Sequence, residues 1–167
     1  KIKALLPVHV AGQAVDMEGL LQVAEGRPIV EDAAHAFGST YFGKKIGGFG
    51  DITCFSFDSV KNITCAEGGA IVCNEPDLVE KLKIKRLLGI DRKNQTSLSW
   101  KERGWSYDVV DQGFRYHMSN LNAAIGLAQL KKVETFISRR REICVQYVSE
   151  FKNISSVQLL PVDYSVV

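Results

Sequence analysis

The chain has 167 residues, of which 46% are hydrophobic and 24% charged, and its formal net charge is +2. This length allows one domain with a substantial core, and the composition is ordinary for a globular protein. The charge is too weak to indicate nucleic acid or an anionic membrane as a partner. The four cysteines form no CxxC pair or Cys/His cluster, so we expect no metal site and reduced cysteines in a cytosolic protein. No apolar run approaches the roughly 18 residues needed to span a bilayer.

The beginning of the chain predicts a strand–helix–strand unit. Residues 3–10 are typical of a short buried strand, and residues 16–26 carry apolar side chains at helical spacing before a glycine stop. Residues 27–34 predict a second short strand that ends in acidic residues. This order is the βαβ unit of an α/β fold with a mainly parallel sheet and flanking helices.

The middle of the chain predicts two more strands around a lysine loop. Residues 38–51 contain five glycines in fourteen positions, which favours a hairpin or a loop excursion. Residues 51–57 and 69–74 are typical of strands, and Lys61 lies in the loop between them. The sequence therefore predicts a lysine in a loop between two buried strands.

The second half of the chain is predicted to be mostly helical. Residues 75–89 predict a helix, with a proline suited to its first turn and a glycine that closes it. Residues 91–113 are polar and irregular, and residues 118–151 predict one or two long helices with an apolar stripe. The tail, 152–167, is expected to turn towards another strand.

Three residues are candidates for chemistry when they are considered together. Asp32 lies near the C-terminal end of a predicted strand, where open α/β sheets bind ligands, although an isolated aspartate there is equally a turn or N-cap residue. Ser56 alone is uninformative, and an isolated lysine such as Lys61 is usually a surface residue. The apolar neighbours of Lys61 nevertheless favour a semi-buried site; they are Phe55, Phe57, Val60 and Ile63.

An acid, a hydroxyl and a lysine are the groups that pyridoxal 5'-phosphate (PLP) requires of a protein. The lysine amine forms the Schiff base, the acid keeps the pyridine nitrogen protonated, and hydroxyl or backbone donors hold the phosphate. The lysine also serves as the base that moves a proton between carbons. The sequence therefore predicts a PLP site.

Two longer stretches carry a family resemblance. "EDAAHAFGSTYFGKKIGGFGDITCFSFDSVKNITCAEGGAIV" and "GFRYHMSNLNAAIGLAQLKK" resemble the DegT/DnrJ/EryC1/StrS sugar aminotransferases, which are fold type I PLP-dependent enzymes. The "KNITCAEGG" stretch looks closest to the branch that makes UDP-4-amino-4-deoxy-L-arabinose. The resemblance implies that 1–117 is part of the PLP-binding large domain, 118–151 a long inter-domain helical segment and 152–167 the start of a small C-terminal domain. Family members are longer, so we expect this chain to be a central part of such an enzyme.

The resemblance also implies a role for each matched residue. Lys61 would form the Schiff base and act as the proton-transfer base, and Asp32 would pair with the pyridinium nitrogen. Ala34 would pack against the ring face, His35 would hydrogen-bond the phenolic oxygen, and Ser56 would hold the phosphate.

The chain departs from the family pattern before the second long helical stretch. It has "GFRYH" where many relatives have Gly-x-Asn-x-Arg, and "LG" at 88–89 where "HG" is frequent. Arg115, His117 and Asn120 are the expected contacts to substrate or to a neighbouring subunit.

The function implied by the resemblance is transfer of an amino group from an amino acid, expected to be glutamate, to a keto-sugar nucleotide. The enzyme is expected to be a cytoplasmic homodimer that serves bacterial polysaccharide, lipid A or antibiotic-sugar biosynthesis, and the isolated chain is expected to be inactive. Two alternatives stay open: a sugar dehydratase on the same scaffold, and a non-catalytic binding or regulatory module. The dehydratases of the family replace the lysine with histidine, so Lys61 argues against the first alternative. The sugar, the nucleotide and the aminated carbon, C3 or C4, are not determined by the sequence.

Overall fold

The computed structural model describes residues 1–91 and 107–160. These residues form two compact units, one made of Lys1–Val72 together with the segment from Asn120 onward, and the other of Cys73–Ser119. The elements in chain order are α1 (Met17–Ala24), β1 (Val30–Asp32), β2 (Thr40–Tyr41), β3 (Lys44–Lys45), β4 (Ile52–Ser56), β5 (Gly69–Cys73), α2 (Pro76–Lys85), β6 (Ile90–Asp91), β7 (Asp108–Val109), α3 (Asn120–Leu130) and α4 (Val133–Phe151).

The main sheet has the strand order β1-β4-β5, and β1 and β4 are parallel. The N-terminal segment extends the sheet beyond β1, because the Val30 amide donates to the Leu5 carbonyl and the Asp32 amide donates to the Pro7 carbonyl, each at 2.9 Å. A proline is tolerated here because only its carbonyl takes part in the pairing. The α/β class is confirmed. Of the predicted βαβ unit, the first strand, 3–10, is present only as isolated parallel bridges from Leu5 to Ile29 and from Val8 to Asp32.

Helix α1 begins at a side-chain cap. The Asp16 carboxylate accepts a hydrogen bond from the Gly19 amide at 3.0 Å and another from the Tyr41 hydroxyl at 2.8 Å. These two bonds lower the pKa of Asp16, as is usual for a carboxylate that caps a helix. The helix ends with Glu25 in the left-handed region at φ 49°, next to the predicted glycine stop.

The core of the first unit, Lys1–Val72 with the segment from Asn120 onward, lies between α1, the sheet and the β2–β3 hairpin. Its buried members are Ala14, Met17, Ala33, Ala36, Tyr41, Ile46 and Phe55. Phe37 packs edge-on against Phe55 and Phe57, with ring centroids 5.3 and 5.5 Å apart, which is a favourable geometry for aromatic pairs. The hairpin predicted within 38–51 is confirmed by the antiparallel pairing of β2 with β3.

The second unit contains α2 and a short antiparallel pair. Pro76 occupies the first turn of α2 as predicted, but the helix ends at Lys85, four residues before the predicted glycine. The prediction that 91–113 is irregular is wrong at its ends, because Asp91 pairs with Asp108 between β6 and β7. The rest of that prediction, 92–106, lies outside the described residues.

Helices α3 and α4 fulfil the prediction of one or two long helices over 118–151. None of their residues is fully buried, and Leu121 and Leu127 of the apolar stripe are exposed. Residues 152–160 contain no strand, and the remainder of the predicted C-terminal strand, 161–167, is outside the described residues. No helix among the described residues has the length and apolarity that crossing a bilayer requires.

Candidate active site

Asp32, Ser56 and the Lys61 loop lie at or directly after the carboxyl ends of β1 and β4. In the parallel register, Asp32 is paired with Cys54, and Ser56 is the last residue of β4, two positions further on. Lys61 follows in the next loop. Because the strands are parallel, their carboxyl ends meet at the same edge, which is where α/β sheets bind ligands.

Asp32 is held firmly by its backbone. Its carbonyl accepts from the His9 amide at 3.0 Å, and the next amide, that of Ala33, donates to the Cys54 carbonyl at 2.9 Å. The exposed Asp32 side chain uses one carboxylate oxygen to accept from the Ala34 amide at 3.0 Å, so the turn role considered for this residue is present. Burial and the nearby Asp32 charge raise the pKa of the Cys54 thiol, as expected for a thiolate beside an anion.

A backbone hydrogen bond determines which ring nitrogen of a neutral His35 carries the proton. Its Nδ1 atom accepts a hydrogen bond from the Ala11 amide at 3.3 Å, so a neutral ring carries its proton on Nε2. The side chain is exposed, and Ala34 beside it is half-buried. His35 is therefore able to donate a hydrogen bond from Nε2 to a ligand oxygen.

Ser56 is half-buried. Its hydroxyl oxygen accepts from the Asp58 amide at 3.3 Å, which leaves the hydroxyl proton available as a donor.

The Lys61 loop is closed at its base by two backbone hydrogen bonds. The Phe57 amide donates to the Gly68 carbonyl at 2.8 Å, and the Cys65 amide donates to the Phe57 carbonyl at 2.9 Å. Within the described part of the chain, the Lys61 amine makes no hydrogen bond or ion pair. The amine is thus available to react with a ligand.

Lys61 is half-buried, as the sequence predicts. Phe55 and Ile63 lie in the interior, but Val60 is 81% exposed, so its predicted part in an apolar enclosure is wrong. The Asp58 carboxylate accepts from the Val60 amide at 3.1 Å, and this turn directs the valine outward.

The second of the two glycines after the lysine loop, Gly69, is required for a steric reason. A Cβ at Gly69 would lie 2.6 Å from the Phe55 carbonyl oxygen, which is closer than any side chain tolerates. Glycine at this position allows β5 to approach β4 directly after the lysine loop.

A buried pair behind the site was missed by the sequence reasoning. His9 and Glu31 are both fully buried, with Nε2 of the histidine 3.0 Å from Oε2 of the glutamate. The other Glu31 oxygen accepts from the Gly50 amide at 2.7 Å and from the Thr53 hydroxyl at 2.8 Å. Burial opposes ionisation of this carboxyl, but the hydrogen bonds from His9, Gly50 and Thr53 outweigh it and lower the pKa of Glu31. The available signal was a charged residue inside each of two apolar strands.

The remaining predicted contacts lie elsewhere in the chain. Arg115 and His117 belong to the second unit and are exposed, and Arg115 forms a backbone bridge to Leu87. Asn120 is exposed at the first position of α3.

The residues at the sheet edge fit PLP by their chemistry. They present a carboxylate, an imidazole donor, a hydroxyl donor and an amine, and residues 1–91 and 107–160 offer that amine no partner; this cofactor uses such a set. The Asn62 Oδ1 atom, in the same loop as the amine, is a buried acceptor that likewise has no partner in the described part of the chain. This orphaned atom is consistent with a site that is completed by a ligand.

Comparisons with known proteins agree with this chemistry. The model of the DegT/DnrJ/EryC1/StrS aminotransferase family matches residues 1–166. An uncharacterized protein of Methanocaldococcus jannaschii is 42% identical over 163 residues, which are 94% of this chain and 41% of the relative. PseC of Helicobacter pylori, an aminotransferase involved in the biosynthesis of pseudoaminic acid, has 34% identity and a TM-score of 0.81 over 92% of this chain and 39% of its own.

A third relative is Spr1654 of Streptococcus pneumoniae, solved in its PLP form. It has 32% identity and a TM-score of 0.78 over 90% of this chain and 42% of its own. The chain thus spans about two fifths of the length of these relatives. The chain belongs to the DegT/DnrJ/EryC1/StrS aminotransferase family, whose members depend on PLP.

Proposed function

We propose that the protein is a PLP-dependent aminotransferase that moves an amino group from glutamate to a keto-sugar nucleotide. One observation carries the proposal: the parallel register of β1 and β4 brings Asp32, Ser56 and the Lys61 loop to one edge of the sheet. Family membership supports the reaction class.

Each residue at this edge has a role in the proposed reaction. Bound PLP supplies the electron sink for amino-group transfer. Lys61 would hold the cofactor through its amine, which would condense with the cofactor aldehyde with release of water, and the free amine would serve as the base that moves a proton. Asp32 would keep the proton on the pyridine nitrogen by its negative charge.

Three further residues would hold the cofactor in place. Ser56 donates its hydroxyl proton to the phosphate, and His35 donates from Nε2 to the phenolic oxygen. Ala34 packs against the ring.

The branch of the family, the pathway, the oligomeric state and the substrate contacts are further parts of the same proposal. The "KNITCAEGG" stretch favours the branch that makes UDP-4-amino-4-deoxy-L-arabinose, whereas the relative PseC is involved in the biosynthesis of pseudoaminic acid. We propose a cytoplasmic homodimer that serves bacterial polysaccharide, lipid A or antibiotic-sugar biosynthesis. Arg115, His117 and Asn120 would contact the sugar nucleotide or the partner subunit.

The lysine disfavours the dehydratase alternative, because the dehydratases of this family carry histidine at that position. A carboxylate, a hydroxyl, an imidazole and a lysine loop at one edge of the sheet disfavour a non-catalytic module, because such a module has no need of this combination.

Borohydride trapping of the full-length protein tests the proposal. With PLP bound, reduction should attach the cofactor to Lys61, as read by peptide mass spectrometry, and Lys61→Ala should abolish both the adduct and the amine transfer. Lys81→Ala, which removes an exposed lysine of α2, is the matched control. Incubation with ¹⁵N-glutamate and keto-sugar nucleotides should give a labelled amino sugar. A deoxygenated product without nitrogen would identify a dehydratase, and absence of any adduct would support the non-catalytic module.

A further inference from the structure

Asn62, the residue directly after Lys61, connects the two loops that carry the site. Its side-chain amide nitrogen donates to the Phe37 carbonyl at 2.7 Å. Phe37 lies two residues after His35, in the loop that follows β1 and Asp32. One hydrogen bond therefore links the lysine loop to the loop of the carboxylate.

The orientation of this amide is determined by its partner. A carbonyl oxygen accepts but cannot donate, so the NH₂ group of Asn62 must face Phe37 and Oδ1 must point away. Oδ1 is buried and has no hydrogen-bond partner among the described residues. Such an atom is rare among buried polar groups, and a bound ligand or water molecule is the kind of partner that would satisfy it.

Helix α4 also holds the lysine loop. The Arg140 guanidinium donates to the Asn62 carbonyl at 3.0 Å. Ile137, three residues earlier on the neighbouring part of the helix surface, lies against Gly38, which follows Phe37 in the Asp32 loop. Helix α4 therefore contacts both loops that carry the candidate site.

We propose that Asn62 and Arg140 are positioning residues that hold the Lys61 amine in register with the Asp32 carboxylate. This inference rests on the proposed function. The backbone is fixed before the lysine by the bond from the Lys61 amide to the Asp58 carbonyl at 3.1 Å, and after it by the bond from Arg140. Asn62 then joins this fixed segment to the Asp32 loop. A change in α4 therefore reaches the lysine segment through one hydrogen bond and the Asp32 loop through two.

The test uses the full-length holoenzyme and three variants. Asn62→Ala removes the link to Phe37, Arg140→Met removes the bond from α4, and Arg140→Lys keeps a donor at that position. The measurements are the pH midpoint of the absorbance change of bound PLP, the dissociation constant of PLP, and kcat and KM with a keto-sugar nucleotide. The absorbance midpoint reports the surroundings of the lysine nitrogen, which a purely structural role would leave unchanged.

We expect Asn62→Ala to shift the absorbance midpoint by about 0.5–1 pH unit. It should lower kcat about 10- to 100-fold, because small misplacements of reacting groups have effects of that size, with KM changed by less than about twofold. Arg140→Met should act in the same direction but less, and Arg140→Lys should restore most of the loss. Glu134→Gln, which breaks only the exposed ion pair between α4 and Lys45 of β3, is the matched control and should leave all three measurements unchanged.

The outcomes distinguish a failure of the proposed aminotransferase function from a failure of the positioning role of Asn62 and Arg140. A wild-type protein that forms no lysine-linked PLP absorbance overturns the proposed function. A wild-type protein that forms it, with Arg140→Met and Asn62→Ala indistinguishable from wild type, overturns the positioning role alone. If Asn62→Ala does not fold, the comparison of Arg140→Met with Arg140→Lys decides, because Arg140 is exposed and its replacement leaves the interior intact.

Discussion

Replacing Glu31 with glutamine should destabilise the protein although the two side chains have the same shape. The carboxylate accepts three hydrogen bonds, from His9, Gly50 and Thr53. A glutamine oxygen can replace the acceptor for Gly50 and Thr53, but its NH₂ group then faces His9 Nε2. The His9 ring cannot accept there without moving its proton to Nδ1, which already accepts from the Val15 amide at 3.2 Å.

One buried polar group is therefore left unpaired in either tautomer. Such a group reduces stability by about 1–3 kcal/mol, and loss of the negative charge also weakens the remaining bonds, which are charge-assisted. We expect Glu31→Gln to lower the free energy of unfolding by about 2–4 kcal/mol at neutral pH. Asp51→Asn replaces an exposed carboxylate in the neighbouring turn. It is the matched control, because its amide oxygen can still accept from the Ile29 amide.

The stability difference between wild type and Glu31→Gln should decrease as the pH falls. The pKa of Glu31 is lower in the folded protein than in the unfolded chain. The stabilisation is therefore complete above the unfolded pKa of a glutamate, about 4.3, and is lost as the pH falls through the lower folded value. A protonated carboxyl can present a donor towards His9 and no longer carries a negative charge, as is also true of the glutamine amide. The difference between wild type and Glu31→Gln should therefore shrink in acid.

Urea unfolding of the full-length protein followed by circular dichroism, at pH 7 and at several acidic values, measures both effects. A difference below about 0.5 kcal/mol at pH 7, the range of ordinary surface substitutions, would refute the reasoning. A difference that grows in acid would refute the assigned ionisation state.

Two further predictions concern the site and the chain. Asp32→Asn should lower single-turnover rates of amine transfer far more than PLP affinity, because it removes the charge at the pyridine nitrogen and leaves the phosphate contacts; unchanged rates with weakened binding would contradict the assigned role. The isolated 167-residue chain should be inactive, bind PLP weakly and self-associate through the exposed sheet edge or the apolar side chains of α3, of which Leu121 is 79% and Leu127 is 64% exposed. Sedimentation velocity and a PLP titration check this, and a tightly binding, active monomer would be inconsistent with it.

The sequence by itself determined the elements around the site, because their signals are local. Alternating and helical apolar patterns, the proline of α2 and the glycines of the hairpin act over a few residues, so they predicted β1, β4, β5 and the helices. The same locality explains the errors. The pairing of β6 with β7 joins residues 17 positions apart in the chain, and no signal near Asp91 specifies its partner.

Only the tertiary structure decided how these elements meet. The register of Asp32 with Cys54, the burial of the His9–Glu31 pair and the exposure of Val60 all depend on which surfaces pack together. The contact from Arg140 to the Asn62 carbonyl spans 78 positions in the sequence. Residue types and their spacing identify the candidate site residues. Non-local packing and hydrogen bonding determine which of these residues face one another.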